Sequence, residues 1–199
     1  MPNHPETIQN LISEFNKLPG IGDKTSERFV FYLLKQPKTE LEKLGLAIEH
    51  LKDKIKICSL CQNFSEKDPC PICGDKNRDQ RTICVVAEPS DVISLEKTGE
   101  YKGVYHVLYG VLKPIEGISP DKLKVAELLT RVKKNNIKEL IIALNPDMEG
   151  ESTTLYLKKL FSPFGLKITR LGRGLAMGTE LEYADEITLA SALAGRKEI

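Results

Sequence analysis

The stretch CSLCQNFSEKDPCPIC, residues 58–73, places four of the chain's five cysteines within sixteen positions. They form two Cys-x-x-Cys pairs separated by eight residues, Cys58 with Cys61 and Cys70 with Cys73. Zinc takes four thiolate ligands in a tetrahedron, and a Cys-x-x-Cys turn presents two sulfurs to one ion. The four side chains therefore predict one closed, structural zinc site per chain, in which metal binding folds a loop that has almost no core of its own.

Two other roles fit these cysteines less well. A redox centre needs one exposed Cys-x-x-Cys pair at the start of a helix that follows a strand, whereas here a polar loop joins two pairs. A catalytic zinc keeps an open position and uses histidine or carboxylate ligands, and none of the three histidines, His4, His50 and His106, lies within residues 58–73. The fifth cysteine, Cys84 in the apolar run TICVVA, is predicted to be a buried core residue.

The composition is that of a globular protein with almost no net charge. The chain has 199 residues, of which 41% are hydrophobic, and its 29 lysines and arginines face 28 acids. It therefore has no overall field that holds a polyanion, and any nucleic-acid contact is local or multiplied by oligomerisation. The apolar runs are too short to cross a membrane, and an odd cysteine count without an export signal argues against a disulfide framework. We expect a soluble, cytoplasmic protein with no membrane partner.

Three amphipathic helices are predicted before the cysteines. Apolar residues recur at helical spacing from Pro5 to Leu18 and again through DKTSERFVFYLL. Thr39, with Glu42 three residues later, predicts a capping box at the start of the third helix. The apolar stripe of that helix has nearly heptad spacing, which suits packing in the core or against a partner chain.

The junction between the first two helices, LPGIGDKTSERF, carries a possible phosphate site. Gly20 and Gly22 allow a tight turn that presents consecutive backbone N–H groups at the start of the second helix. Lys24 and Arg28 are four residues apart on that helix and can flank the same phosphate. An ordinary helix–helix turn with two solvated cations explains the same spacing equally well.

After residue 82 short β-branched runs alternate with helix-like segments, which predicts a parallel sheet covered on both faces. Glu88 directly follows the first strand, TICVVA, and NPDMEGE directly follows a later one, IIAL. Carboxylates at the ends of adjacent strands can share a magnesium ion. The alternative is a polar edge whose acids cap helices or bind a partner protein.

These parts together carry a resemblance that covers nearly the whole chain. LPGIGDKTSERF resembles a helix-hairpin-helix motif, and the strand-end acids resemble a Toprim domain. Glu88 matches its first acid, Asp147 the second acid of Asp-x-Asp and Glu149 a third, whereas Asn145 replaces the first Asp. Hairpin, four-cysteine knuckle and Toprim domain in this order resemble the RecR family of bacterial recombination mediators. The expected domains are a helix-hairpin-helix module at 1–56, a zinc finger at 57–78, a Toprim domain at 79–175 and a C-terminal oligomerisation segment at 176–199.

The resemblance implies a non-enzymatic scaffold of recombinational DNA repair that binds single- and double-stranded DNA without sequence specificity. It implies a homodimer or homotetramer ring, and partnership with RecO, RecF or both in loading RecA onto single-stranded DNA. The C-terminal LEYADE corresponds to a segment likened to a Walker B strand, but the chain has no P-loop to hold a nucleotide. A helix and an oligomer contact are expected over 180–193.

The alternative function is a magnesium-dependent Toprim nuclease that uses Glu88 and Asp147. Asn145 counts against it, because a neutral amide removes one negative charge from a site that must hold a divalent cation.

Overall fold

The computed structural model describes residues 4–196, and the chain divides into two compact units, Met1–Lys54 and Ile55–Ile199. The outer ends of the predicted first and last domains, residues 1–3 and 197–199, lie outside the described residues. The architecture predicted from the sequence is confirmed: helices come first, then a small cysteine-rich knuckle, a parallel α/β sheet and a C-terminal helix.

The first unit consists of three helices, α1 (Glu6–Asn16), α2 (Asp23–Leu34) and α3 (Lys38–Glu49), followed by a 3-10 turn at His50–Lys52. Helices α1 and α2 pair as a hairpin, and Ser26 and Val30 of α2 are its buried residues.

The capping box predicted at Thr39 is wrong. Pro37 occupies the N-cap position and α3 begins at Lys38, so that Thr39 already lies inside the first turn. Proline fixes φ near the value that precedes a helix and needs no N–H donor there, so the chain enters the helix two residues earlier than a threonine cap would allow. No residue of α3 is buried, and its apolar stripe, which includes Leu44 and Ile48, is exposed.

The second unit begins with the knuckle. Two short strands, β1 (Lys56–Ile57) and β2 (Phe64–Ser65), pair antiparallel, and a single helical turn, α4 (Pro71–Gly74), carries the last cysteine.

A four-stranded parallel sheet follows, with strand order β4-β3-β5-β6. Its elements in chain order are β3 (Asp79–Val86), α5 (Pro89–Glu96), β4 (Gly103–Val107), α6 (Val125–Lys134), β5 (Glu139–Ala143), α7 (Met148–Phe161) and β6 (Lys167–Arg170). Every strand pair is parallel, as the alternating sequence pattern predicts.

Both faces of the sheet are buried. Because side chains alternate along a strand, Ile83 and Val85 of β3 pack in the cluster that contains α6 and α7, while Cys84 and Val86 pack on the opposite face with Val92 of α5. The prediction that Cys84 is a core residue is confirmed, and burial raises the pKa of its thiol to about 12.

The C-terminal helix is shorter than predicted. A 3-10 turn occupies Leu181–Tyr183, and α8 spans Glu186–Ala194. Asp185 caps the helix, with its carboxylate accepting a hydrogen bond from the Thr188 amide at 2.9 Å, and this cap fixes the start six residues beyond position 180. None of the helices within residues 4–196 is long and apolar enough to span a bilayer.

Candidate functional sites

The four cysteines of the knuckle converge on one point. Cys58, Cys61, Cys70 and Cys73 are all buried, and their sulfur atoms lie within 4.8 Å of one another. The Sγ atoms of Cys61 and Cys70 are 3.6 Å apart, close to the roughly 3.8 Å that a tetrahedron with zinc–sulfur bonds of about 2.3 Å requires. The donor set and its spacing fit a closed zinc site with no position left for a substrate.

The backbone of the knuckle is arranged to stabilise thiolates. The Cys70 amide donates to the Cys58 sulfur at 3.3 Å, and the Cys73 amide donates to the Cys70 sulfur at 3.4 Å. Hydrogen bonds from Cys61 and Cys73 hold the pKa of Cys70 far below its usual range, whereas the bond to Cys70, together with burial, raises the pKa of Cys61. Deprotonation of the remaining thiols after Cys70 therefore requires a compensating positive charge, which a bound zinc ion supplies.

The knuckle lies against the edge strand of the sheet. The Val107 amide, at the end of β4, donates a hydrogen bond of 2.8 Å to the carbonyl of Cys61. The rings of Phe64 and Tyr109 meet edge to face, with centroids 5.9 Å apart. The outer edge of β4 is thus covered by the cysteine loop instead of facing solvent.

The glycine turn between α1 and α2 has the geometry of an anion-binding helix start. Gly20 has a φ of +76°, in the left-handed region that glycine adopts without strain, and Gly22 is the N-cap of α2. The amides of Gly22, Asp23 and Lys24 donate no hydrogen bond to any residue between 4 and 196. These N–H groups, at the positive end of the helix dipole, are available to a phosphate oxygen.

The two predicted cations lie on the same helix as these amides. Lys24 and Arg28 are exposed, and neither forms an ion pair with a residue in the described part of the chain. Lys17 and Lys43 of the same unit differ in this respect, since each pairs with a glutamate three residues away. The structure therefore places Gly20, Gly22, Lys24 and Arg28 on one turn and the helix that follows it.

Asn16, which the sequence reading missed, holds the hairpin closed. Its amide donates to the Asp23 carboxylate at 2.6 Å, and its carbonyl oxygen accepts a hydrogen bond from the buried Ser26 hydroxyl. The rings of Phe15 and Phe29 add an edge-to-face contact with centroids 5.7 Å apart. A polar residue at the end of one helix, followed by Ser or Thr in the first turn of the next, is the signal that could have identified this clasp.

The strand-end acids lie at one edge of the sheet, because β3 and β5 are neighbours with Val86 opposite Ala143. Asp147 is the N-cap of α7, and its carboxylate accepts a hydrogen bond from the Gly150 amide at 2.7 Å. Glu88 is the N-cap of α5, and its amide donates a hydrogen bond of 2.8 Å to the carboxylate of Asp91, the third residue of that helix.

These acids do not form a ligand cluster like that of the cysteines. Among the side chains of residues 4–196 that could bind a metal, the ligand atoms of the four cysteines converge on one point. The carboxylates of Glu88, Asp147 and Glu149 do not converge in this way. Asn145 is exposed beside them. The edge is an exposed acidic surface on which Glu88 and Asp147 occupy the N-cap positions of α5 and α7.

Gly150 fixes the shape of this edge. A Cβ atom on Gly150 would lie 2.0 Å from the carbonyl oxygen of Asn145, so that only glycine allows α7 to start this close to the preceding turn. The sequence gives no sign of this contact beyond the presence of a glycine inside a helix.

A helical hairpin that offers free amides and cations, a four-thiolate knuckle and a Toprim-type sheet define a modular, zinc-containing DNA-binding protein. Family models match the chain in the same order: the RecR helix-hairpin-helix at residues 8–52, the RecR four-cysteine zinc finger domain at 55–75, the Toprim domain at 81–172 and the RecR C-terminal model at 174–197.

Full-length relatives agree with the domain matches. The chain is 50% identical over 195 residues to Recombination protein RecR of Herpetosiphon aurantiacus, covering 98% of this chain and 96% of that one. It is 51% identical over 196 residues to the protein of the same name from Moorella thermoacetica, covering 98% of both chains. For the Heliobacterium modesticaldum protein the identity is 48% over 199 residues and the whole of both chains. The chain belongs to the RecR family of recombination proteins.

Proposed function

We propose that this protein is a non-enzymatic DNA-binding scaffold of recombinational repair in the cytoplasm. It acts with RecO, RecF or both to promote loading of RecA onto single-stranded DNA. Membership of a family whose members are named recombination proteins supports the process. The division of labour assigns DNA contact to residues 1–56, zinc-dependent rigidity to 57–78, partner contact to 79–175 and oligomerisation to 176–199.

The observation that carries the proposal is the hairpin turn. Three amides without partners in the described chain lie beside two exposed cations, Lys24 and Arg28. These groups contact phosphate and no base edge, so binding is independent of sequence and open to single- and double-stranded DNA. One such site is weak on a chain with a formal net charge of +1. A homodimer or homotetramer ring multiplies the same contact into useful avidity.

The test compares DNA binding of the wild type with that of the Lys24→Gln/Arg28→Gln double variant over a range of salt concentrations. Each lost phosphate contact lowers the slope of log K against log salt by about 0.7 for single strands and about 0.9 for duplex DNA. We expect a slope smaller by about 1.4 to 1.8 for each engaged hairpin, with equal loss for unrelated sequences.

The control is the Lys17→Gln/Lys43→Gln variant, which removes the same charge from lysines that are already paired with glutamates. It should bind DNA with nearly the wild-type slope. An unchanged affinity and slope in the Lys24/Arg28 variant would refute the assignment of the hairpin.

The acidic edge of the sheet is the proposed contact for RecO. Glu88→Lys/Glu149→Lys reverses two charges there and spares Asp147, whose carboxylate caps α7. We expect loss of RecO in a pull-down, whereas Glu66→Lys, an exposed acid of the knuckle, should retain it. Intact RecO binding by the double variant would contradict this surface.

The magnesium-dependent nuclease is the competing function, and Asn145 in place of a carboxylate, together with the use of Asp147 as a helix cap, favours the scaffold. DNA or structured RNA incubated with the protein and magnesium should remain intact. Robust cleavage that Glu88→Ala abolishes would refute the scaffold proposal.

A further inference from the structure

A buried arginine lies between the knuckle and the sheet. Arg131, on the inner face of α6, is 8% exposed. One nitrogen of its guanidinium donates to the carbonyl of Tyr105 at 2.6 Å and to the carbonyl of Leu60 at 3.1 Å. Among the residues from 4 to 196, no carboxylate pairs with it within 4.0 Å. A buried cation without a carboxylate partner is unfavourable unless a negative charge of another kind compensates it.

The zinc knuckle supplies that negative charge. Four thiolates around one divalent ion leave two net negative charges on the centre. Leu60, whose carbonyl Arg131 contacts, lies directly before the ligand Cys61. The guanidinium therefore contacts the backbone of the cysteine loop one residue before a zinc ligand, where its positive charge favours the negative cluster.

The two carbonyls that Arg131 binds belong to different parts of the unit. Leu60 lies in the cysteine loop and Tyr105 lies in β4, so a single side chain from α6 joins three segments. The Val107 amide, which donates to the carbonyl of Cys61, is the neighbouring backbone link between the loop and the same strand. If the cysteine loop moved on loss of metal, the hydrogen bonds that join it to α6 and β4 would break, and the sheet would lose these contacts too.

The neighbouring histidine does not provide this positive charge. His106 is fully buried, and its Nε2 atom lies 2.7 Å from the Lys124 carbonyl oxygen. Burial lowers the pKa of His106 to about 4, and the charge of Arg131 acts in the same direction. The imidazole is neutral near pH 7, whereas a guanidinium is charged at every pH at which the protein is folded.

We propose that Arg131 is a positioning residue of the zinc centre: its guanidinium balances the negative zinc–thiolate cluster and ties the cysteine loop to β4, so that zinc occupancy sets the stability of the α/β sheet. The inference goes beyond the DNA-binding role, because it gives the zinc ion a role in stabilising the α/β sheet. A purely structural arginine that only satisfies two carbonyls would leave metal affinity unchanged.

The test uses the full-length protein with Arg131→Gln, Arg131→Lys and the control Lys133→Gln, which removes an exposed charge from the same helix. The zinc dissociation constant is measured by competition with a chromophoric chelator. Thermal unfolding is followed with zinc bound and after chelation. Hydrogen exchange of the Val107 amide reports on the link between loop and strand.

We expect Arg131→Gln to raise the zinc dissociation constant by about 10- to 100-fold, the usual effect of losing a group that supports metal ligands. It should also shrink the difference in melting temperature between the zinc-bound and chelated forms, and speed exchange at Val107. Arg131→Lys keeps the charge but lacks the planar fork, so it should retain more of the zinc affinity than Arg131→Gln. Lys133→Gln should match the wild type.

A folded Arg131→Gln protein with wild-type zinc affinity and zinc-dependent stabilisation would overturn the proposal. If that variant does not fold, Arg131→Lys decides: Val107 exchange equal to wild type would overturn the proposed tie between the cysteine loop and β4. A wild-type protein that binds no zinc would also overturn it, but would leave the assignment of DNA binding to the hairpin intact.

Discussion

Replacing Gly150 with alanine tests how the acidic edge is built. The new Cβ would lie 2.0 Å from the Asn145 carbonyl oxygen and 3.1 Å from both the Asn145 carbonyl carbon and the Asp147 carboxylate. Ordinary contact begins near 3.4 Å, so the start of α7 or the preceding turn must move by about 1.4 Å. The atom in the way is backbone, which has no rotamer that relieves the clash.

The expected loss of stability follows from three terms. Overpacking costs about 1–3 kcal/mol, and a backbone obstacle puts this site at the upper end. Displacing the Gly150 amide weakens the 2.7 Å bond to Asp147, worth about 1 kcal/mol as an N-cap. Alanine recovers up to about 1 kcal/mol of helix propensity. The net expectation is a destabilisation of about 2–3 kcal/mol, or a fall of about 1–1.5 M in the urea midpoint at a slope of about 2 kcal/mol per molar.

Urea unfolding followed by tyrosine fluorescence measures this change. The chain has no tryptophan, and Tyr32 is the single one of its six tyrosines within Met1–Lys54, so the signal reports mainly on the α/β unit. Gly172→Ala is the matched control, since a Cβ there meets open space, and it should change stability by less than about 0.5 kcal/mol. Asp147→Ala should cost little once Gly150→Ala is present, because both disturb the same cap. A loss below about 0.5 kcal/mol in Gly150→Ala would refute the reasoning.

Three further outcomes are expected. Cys70→Ser should lose stoichiometric zinc, measured by elemental analysis, and lower the melting temperature of the α/β unit; full zinc content in this variant would contradict the four-thiolate site. His106, whose folded pKa of about 4 lies below the ordinary value near 6.5, is protonated first in the unfolded chain. Stability should therefore be full above pH 6.5 and fall by roughly 3 kcal/mol toward pH 4, and a His106→Gln profile as steep as wild type would count against this. Cys84, with a pKa raised by burial to about 12, should not react with a thiol reagent at pH 8 until the protein is unfolded; rapid labelling in the native state would show that it is accessible.

The sequence was most informative where the structure depends on local spacing. Two Cys-x-x-Cys pairs bring four sulfurs together because each turn fixes two of them, and the alternation of β-branched and amphipathic segments predicts the parallel sheet. It was less reliable at helix starts. Pro37, and not Thr39, is the N-cap of α3. The final helix starts at Glu186 because Asp185 is its N-cap. Several polar residues compete for each cap, and the local sequence does not rank them.

By itself the sequence determined the order of the modules, the grouping of the four cysteines and the position of the glycine turn, since each depends on residues within one short segment. Only the tertiary structure decided what surrounds them. Arg131 meets Leu60 across 71 positions of the chain, and Gly150 is obligatory because a carbonyl five residues earlier folds back onto it. Such contacts depend on how the sheet, loop and helices pack, because the residues adjacent in sequence do not specify which backbone atoms a side chain will contact in the folded protein.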